Sequence, residues 1–418
     1  MAVEQVPRPR PGSSVSGVAM PSYRSFLQYP PWRRLVLAST CARLPMTMAI
    51  FGLVLAGRAL GSFALGGRLA AVYTLTGAAT AMWRGRHMDR GDLRLGLRRD
   101  GVVVAALAAG IAVAVAAHSP ALVVAGLAFL LGLAMAAIPG GYRALVTSGA
   151  PPGELNHAYA LDAVCVEVCF VAGPAVAAAV AWFGGPKSVF ALMALTALLG
   201  AVMVGRLAPA EGRGAEPGEP APAPFRVPAM VGALVAAIGV GMAIGVEDAT
   251  YPPLAVAFGS RAALGGVFVT LMALGSATSG LLLGPRVALS RQVTTRAVCL
   301  VALFGVAVLP VAAAPGIAAA IPLALIAGAP FALMVTSASV LIQRTVARER
   351  SAEAFSMLNA GLLVGNAVGS AVVSATIGPA GARATMLIAG AGPLLAATGL
   401  FTVMAMGRRR AQLRVAAM

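Results

Sequence analysis

Charge is scarce in this chain. Only 11% of its 418 residues are Asp, Glu, Lys or Arg, while 59% are hydrophobic. A soluble globular protein carries about 25% charged residues, so a water-covered surface is excluded. Lysine is nearly absent: Lys187 is the one lysine among 31 basic residues. Aromatics are 6% of the chain, which leaves few platforms on which a sugar could stack. His87, His118 and His157 stand apart at span ends or in loops, and Cys41, Cys165, Cys169 and Cys299 lie in apolar runs without metal-ligand spacing. The cysteines read as small packing residues. Zinc spacing, a nucleophile triad and a phosphate-binding loop are all missing, so no enzyme, metal or cofactor is expected. Residues 1–31 lack the apolar core of a cleavable signal peptide, and Arg33 and Arg34 read as anchors at the start of the first span.

What remains is long apolar runs. Twelve spans fit at 35–57, 64–84, 101–117, 121–142, 156–181, 188–205, 228–251, 264–284, 297–314, 317–342, 354–377 and 384–406. Each is long enough to cross ~30 Å of hydrocarbon as a helix. Few segments alternate as a lipid-facing barrel strand would. The expected fold class is therefore an all-α polytopic membrane protein with 12 transmembrane helices.

The net charge of +17 does not point to nucleic acid, because the arginines cluster at span ends and not on one amphipathic face. With the N-terminus inside, 25 basic residues fall on the cytoplasmic side, and only Arg58, Arg68, Lys187, Arg261 and Arg383 lie towards the outside. That imbalance puts both termini in the cytoplasm of a cell inner (cytoplasmic) membrane protein. Residues 207–224, rich in Pro, Gly and Glu, form a linker without an apolar face. The expected division is a tail (1–34), a six-helix bundle (35–205), a linker (206–227), a second bundle (228–406) and a tail (407–418).

The two bundles are parallel repeats. Leu65-Gly66-Gly67 matches Leu264-Gly265-Gly266 at an offset of 199, and Ala158-Tyr159 with Gly173 matches Ala354-Phe355 with Gly369 at an offset of 196. Parallel repeats imply a pseudo-two-fold axis along the membrane normal, with the substrate path between the halves.

Charges inside spans are costly, roughly 2.5–3.5 kcal/mol on insertion scales, so each asks for a partner. Arg43 lies ~13 Å into the first span and Glu167 ~16 Å into the fifth from the same side. A buried Arg43–Glu167 pair is expected, either as scaffolding or as a protonatable site beside the path. Asp162 projects about 140° away from Glu167 around the helix and reads as a gate or loop contact, with a proton-coupling site as the alternative. Glu247 and Asp248, just before Tyr251-Pro252-Pro253, form either a mutually repelling pair at a partly dry site, which raises the pKa of one towards neutrality, or a solvated outer rim that attracts a cationic substrate. Asn359 and Asn366 share a face, as do Gln343 and Ser339; they are polar cavity candidates or interhelical hydrogen-bond groups.

One polar loop stands out between the second and third spans: Gly85-Arg86-His87-Met88-Asp89-Arg90-Gly91-Asp92, followed by Arg94, Arg98 and Arg99. With Arg43-Leu44-Pro45, Arg143-Ala144-Leu145 and Gly173-Pro174, it makes the chain resemble the major facilitator superfamily over about residues 34–406. More narrowly the chain resembles actinobacterial efflux permeases. The resemblance implies that Gly85, Asp89, Arg90 and Gly91 form a gating loop. In it Asp89 would engage a helix N-terminus of the other half and stabilise the outward-open state, with Arg90 pairing nearby. Gly284-Pro285, the counterpart in the second half, is followed by no acid. Gly173-Pro174 keeps only the end of the family's glycine-rich antiporter motif, and Arg143 lies near the cytoplasmic end of its span, where the family's antiport arginine is mid-helix.

The expected function is secondary export of a small, largely apolar or amphiphilic compound, a drug or secondary metabolite, by proton-coupled alternating access. The protein would act as a monomer in the lipid bilayer. An uptake permease of the same fold is the alternative. A non-transporting membrane sensor or assembly protein is the alternative of another class.

Overall fold

The structure is a computed structural model that describes residues 30–89, 92–148, 155–206, 227–288, 292–346 and 351–416. Helices follow one another along the chain: α1 (Pro30–Leu60), α2 (Phe63–Asp89), α3 (Leu93–Ala116), α4 (Ala121–Met135), α5 (Ile138–Ser148), α6 (Leu155–Gly184) and α7 (Pro186–Gly205). The second half comprises α8 (Pro228–Ala257), α9 (Gly265–Ala288), α10 (Val293–Ala313), α11 (Ile317–Thr345) and α12 (Ser351–Ala416), with a 3-10 turn at Ala262–Leu264. Among the described residues there is no strand. The end at which α1 begins is called proximal, and the opposite end distal.

Three spans differ from their expected form. The fourth is broken into α4 and α5, because Pro139 has no N–H to close the ladder across Ala136 and Ala137. The eleventh and twelfth are joined in α12, which reverses at Gly381 with φ 75°, a conformation that favours glycine. The two limbs of α12 flank α8 in opposite directions. Gly361 and Gly365 meet Leu234 and Ile238, whereas Gly392 meets Gly239 and Leu400 meets Gly232.

Among the described residues ten stretches are long and apolar enough to cross a membrane, and one of them, Met357–Thr402, spans parts of both limbs of α12. Helix α2 is not among them. It carries Arg68 and Arg84 and several threonines, but Thr74, Thr76 and Thr80 return their hydroxyls to the carbonyls of Ala70, Val72 and Thr76 at 2.6–2.9 Å, which removes much of the cost of burying them.

Small residues let the backbones touch where lipid supplies no hydrophobic drive between helices. The repeats use them alike. Gly66 of α2 lies on Val54 of α1, and Gly265 of α9 lies on Pro252 of α8. Gly173 of α6 packs on Thr47 of α1, and Gly369 of α12 packs on Met242 and Val246 of α8. Each half has a core of its own, and the two cores interlock distally. Val54 and Ala70 join the second core, and Ala262 and Ala263 join the first.

Candidate functional site

Inside the first half, three ionisable side chains converge. Arg43 of α1 donates to the Asp162 carboxylate of α6 at 2.6 Å and to the Pro139 carbonyl of α5 at 2.9 Å. Arg143 of α5 donates from Nε to the other Asp162 oxygen at 2.9 Å. Arg43 and Asp162 are each 1% exposed, whereas Arg143 is 55% exposed. One carboxylate therefore stitches two arginines from two other helices. The break between α4 and α5 places the Pro139 carbonyl where Arg43 reaches it.

Arg43 thus binds Asp162, and the expected pairing with Glu167 is corrected. The reason lies in the faces of α6. Asp162, Cys165, Cys169 and Gly173 fall on one stripe against α1, where Cys169 Sγ meets the Thr40 carbonyl at 3.6 Å and Gly173 meets Thr47. Glu167 is about 140° round the helix, on the stripe of Val171, Pro174 and Ala178. Distally that stripe is covered, because Gly266 of α9 packs on the Pro174 carbonyl and the Ala178 side chain. Glu167 itself, seven residues nearer the proximal end, is exposed.

The distal seal is doubled. Gly67 of α2 packs on the backbone of Ser370 and Ser374 in α12, as Gly266 packs on α6. In each Leu-Gly-Gly repeat the first glycine touches its own half and the second touches the other half. Arg261, in the connection before α9, adds a guanidinium 4.4 Å from the Trp182 ring centre of α6 and donates to the Trp182 carbonyl at 3.4 Å.

Glu247 is 2% exposed, which corrects the solvated-rim reading. Helix α8 continues through Pro252 and Pro253 to Ala257, so Glu247 lies ten residues, about 15 Å, from its distal end. Its Oε1, Thr250 Oγ1 and Asn366 Oδ1 are buried without a hydrogen-bond partner among the described residues. Ser370 donates to the Gly245 carbonyl at 3.5 Å. Asn359 is exposed and takes no part in this group.

Arg90 and Gly91 of the gating loop lie outside the described residues, as do the surroundings of Gly85 and the side chains of Asp89 and Gln343. Helix α2 ends at Asp89, and Asp92 caps α3 by accepting from the amides of Arg94 and Leu95.

Sequence reasoning missed the Arg84–Asp100 pair, which ties α2 to α3 at 2.6 Å. Its signal was a lone acid opening an apolar run just after Arg98 and Arg99. The contact of Arg58 with Phe63 across the single turn between α1 and α2, and that of Arg383 with Phe258 between two distant turns, both 5.1 Å to the ring centre, were missed as well.

The comparisons agree with this architecture. The chain is 32% identical over 176 residues to an uncharacterized MFS-type transporter of Sinorhizobium fredii, a match covering 41% of this chain and 43% of the relative's length. A bacterial homolog of the human lysosomal transporter Spinster, in an inward-facing and occupied conformation, superposes with TM-score 0.70 at 16% identity, over 91% of this chain and 96% of that one. A nucleoside transporter superposes with TM-score 0.67 at 13% identity, over 88% and 98%. A human organic anion transporter does so with TM-score 0.60 at 16% identity, over 89% and 99%. The family profile of the Major Facilitator Superfamily matches residues 35–346. The chain belongs to the Major Facilitator Superfamily of membrane transporters.

Proposed function

We propose that the protein is a secondary active transporter that exports a small, largely apolar or amphiphilic compound by proton-coupled alternating access. The observation that carries this reading is the pairing of a distal end sealed between the halves by Gly67 and Gly266 with carboxyls held inside the bundle. Such a seal is an interface that can part without unfolding either half, and the buried acids give the motion something to couple to.

Proton coupling falls to Glu247 and Asp248, with Glu167 as a second candidate. The first two lie behind the distal seal and would meet water when it opens. Glu167 lies on the stripe that α9 would cover when the proximal end closes. Asp89 takes the part of the proximal latch, engaging the other half when the distal end is open. The arginine balance supports cytoplasmic termini, so the distal seal faces outwards, and residues 35–205 and 228–406 move as two bundles about the linker. The substrate path would open proximally in this state, and the scarcity of polar and aromatic residues in the chain suits an amphiphile better than a sugar. The protein works as a monomer in the cytoplasmic membrane.

The test is proton release from proteoliposomes across a panel of apolar and amphiphilic compounds, in everted and right-side-out orientations. Export predicts substrate-dependent proton movement opposite to the compound. Co-directional movement identifies uptake. No flux with any compound, and no change in proximal labelling on Asp89→Asn, would favour a sensor or assembly role.

A further inference from the structure

The distal end carries Arg58, Arg68, Lys187, Arg261 and Arg383, and residues 58–68, 182–188, 257–266 and 378–385, which bear them, contain no Asp or Glu. Among the described residues the ion pairs use only Asp92, Asp100 and Asp162, none of them with these cations. Three of the arginines lie on aromatic rings instead. Two of those three, Arg58 from the first half and Arg261 from the second, line one cavity of about 300 Å³ with Ala181, Trp182, Pro186 and Ala262. A guanidinium stacked on a ring keeps its in-plane donors, and Arg261 spends one of them on the Trp182 carbonyl. The fork that remains matches two oxygens of a tetrahedral oxyanion. Trp182 and Phe183 are exposed beside it, as aromatic residues are at the headgroup level of a bilayer.

We propose that this cavity binds a phosphate-type oxyanion, held between Arg58 and Arg261 across the seam of the two halves. The anion comes from a phospholipid headgroup reached along the membrane or from the water as a free ion. Because its two arginines belong to different halves, it binds best when the distal end is sealed and shifts the population towards that state. Binding is independent of any transported compound, so it stands or falls apart from the export reading.

Thermal unfolding of the full-length protein in detergent tests this, with inorganic phosphate as one probe and short-chain phosphatidylglycerol or phosphatidylcholine as the others. A saturable rise in Tm with phosphatidylglycerol but not with inorganic phosphate identifies a headgroup site. A rise with inorganic phosphate identifies a free-anion site. Arg58→Gln and Arg261→Gln each weaken the apparent affinity about tenfold or more, the loss of one charge-assisted contact. The double variant loses the response, whereas Arg383→Gln, outside the cavity, keeps it. No response of the unmodified protein to any probe overturns the proposal. So does an unchanged affinity in both single variants, a readout that stands even if the double variant fails to fold.

Discussion

Adding one methyl group at Gly67 or Gly266 should prise open the distal end. A Cβ on Gly67 would lie 2.8 Å from the Ser370 carbonyl oxygen and 3.0 Å from the Ser374 amide nitrogen, and one on Gly266 would lie 2.8 Å from both the Pro174 oxygen and the Ala178 Cβ. Apart from that Ala178 Cβ, these obstructing atoms are backbone and cannot rotate away. To restore ordinary contact, the helices must part by about half an ångström, a strain typical of overpacking at about 1–3 kcal/mol. Because the strain exists only while the halves touch, it acts on the closed-to-open equilibrium and not on folding. A bias of 1–3 kcal/mol moves that equilibrium roughly 5- to 150-fold. The two sites share no contact, so their effects should add. Spin labels at Ala59→Cys at the distal end of α1 and Ala380→Cys in α12 report the distance between the halves beside the α2–α12 seam, and labels at Lys187→Cys at the start of α7 and Ser260→Cys in the connection before α9 report it beside the α6–α9 seam, with the four native cysteines replaced. Gly67→Ala and Gly266→Ala should lengthen the distal distances, most of all in combination. Gly66→Ala and Gly265→Ala, which press on Val54 and Pro252 within their own halves, should lower Tm without that lengthening. Unchanged distal distances in the combined variant would refute the reasoning.

Asp162→Asn leaves Arg43 and Arg143 facing one another without a carboxylate, at a cost of about 3–5 kcal/mol for breaking a buried pair. Tm should fall, and Arg43→Gln in the same chain should recover part of the loss. A neutral Asp162→Asn would mean that the cluster does not hold α1, α5 and α6 together. Glu167→Gln, at an exposed position, should leave Tm unchanged while lowering proton-driven transport at normal membrane levels; retained transport would remove Glu167 from the coupling path. Glu247→Gln should keep the fold and abolish substrate-dependent proton release, and full release by that variant would count against Glu247 as carrier. Gly173→Ala forces a Cβ into Thr47 and should cost about 1–3 kcal/mol of stability, read by thermal unfolding.

The architecture was legible because it rests on composition and local pattern. Long apolar runs, arginines at span ends and the Leu-Gly-Gly repeat all survive in one dimension. The break at Pro139 and the reversal at Gly381 were each marked by a residue with special backbone chemistry, although the spans around them read as continuous. The site was less legible. Depth along two spans correctly isolated Arg43 as needing an acid, but depth cannot choose between Asp162 and Glu167. Face decides that choice, and the face of α6 that meets α1 is fixed by Cys169, Gly173 and their partners on another helix. Of the two readings open for Glu247, its burial removes the solvated rim and leaves the repelling pair at a dry site. Pro252-Pro253 looked like an end of the span, yet α8 runs on through both prolines to Ala257, with Gly265 packed against Pro252.

The repeats also separate motion from chemistry. Gly66 and Gly265, Gly67 and Gly266, and Gly173 and Gly369 make corresponding contacts in the two halves, so the surfaces that slide and part obey the pseudo-two-fold axis. The ionisable groups do not. Arg43, Asp162 and Arg143 are confined to the first half, and the position 199 residues after Arg43 is Met242, which packs on Gly369 and Gly392. Glu247 and Asp248 are confined to the second half, and their counterparts 199 residues earlier are Met48 and Ala49, both buried in the first core. A symmetric hinge with asymmetric charge has a testable consequence. Opening the distal seal from either side, at Gly67 or at Gly266, should expose the same two acids of α8. Both glycine variants should therefore raise the labelling of Glu247 and Asp248 by a carboxyl-reactive carbodiimide, and neither should raise that of Asp162. Labelling that rises in only one of the two would show that the seams open independently.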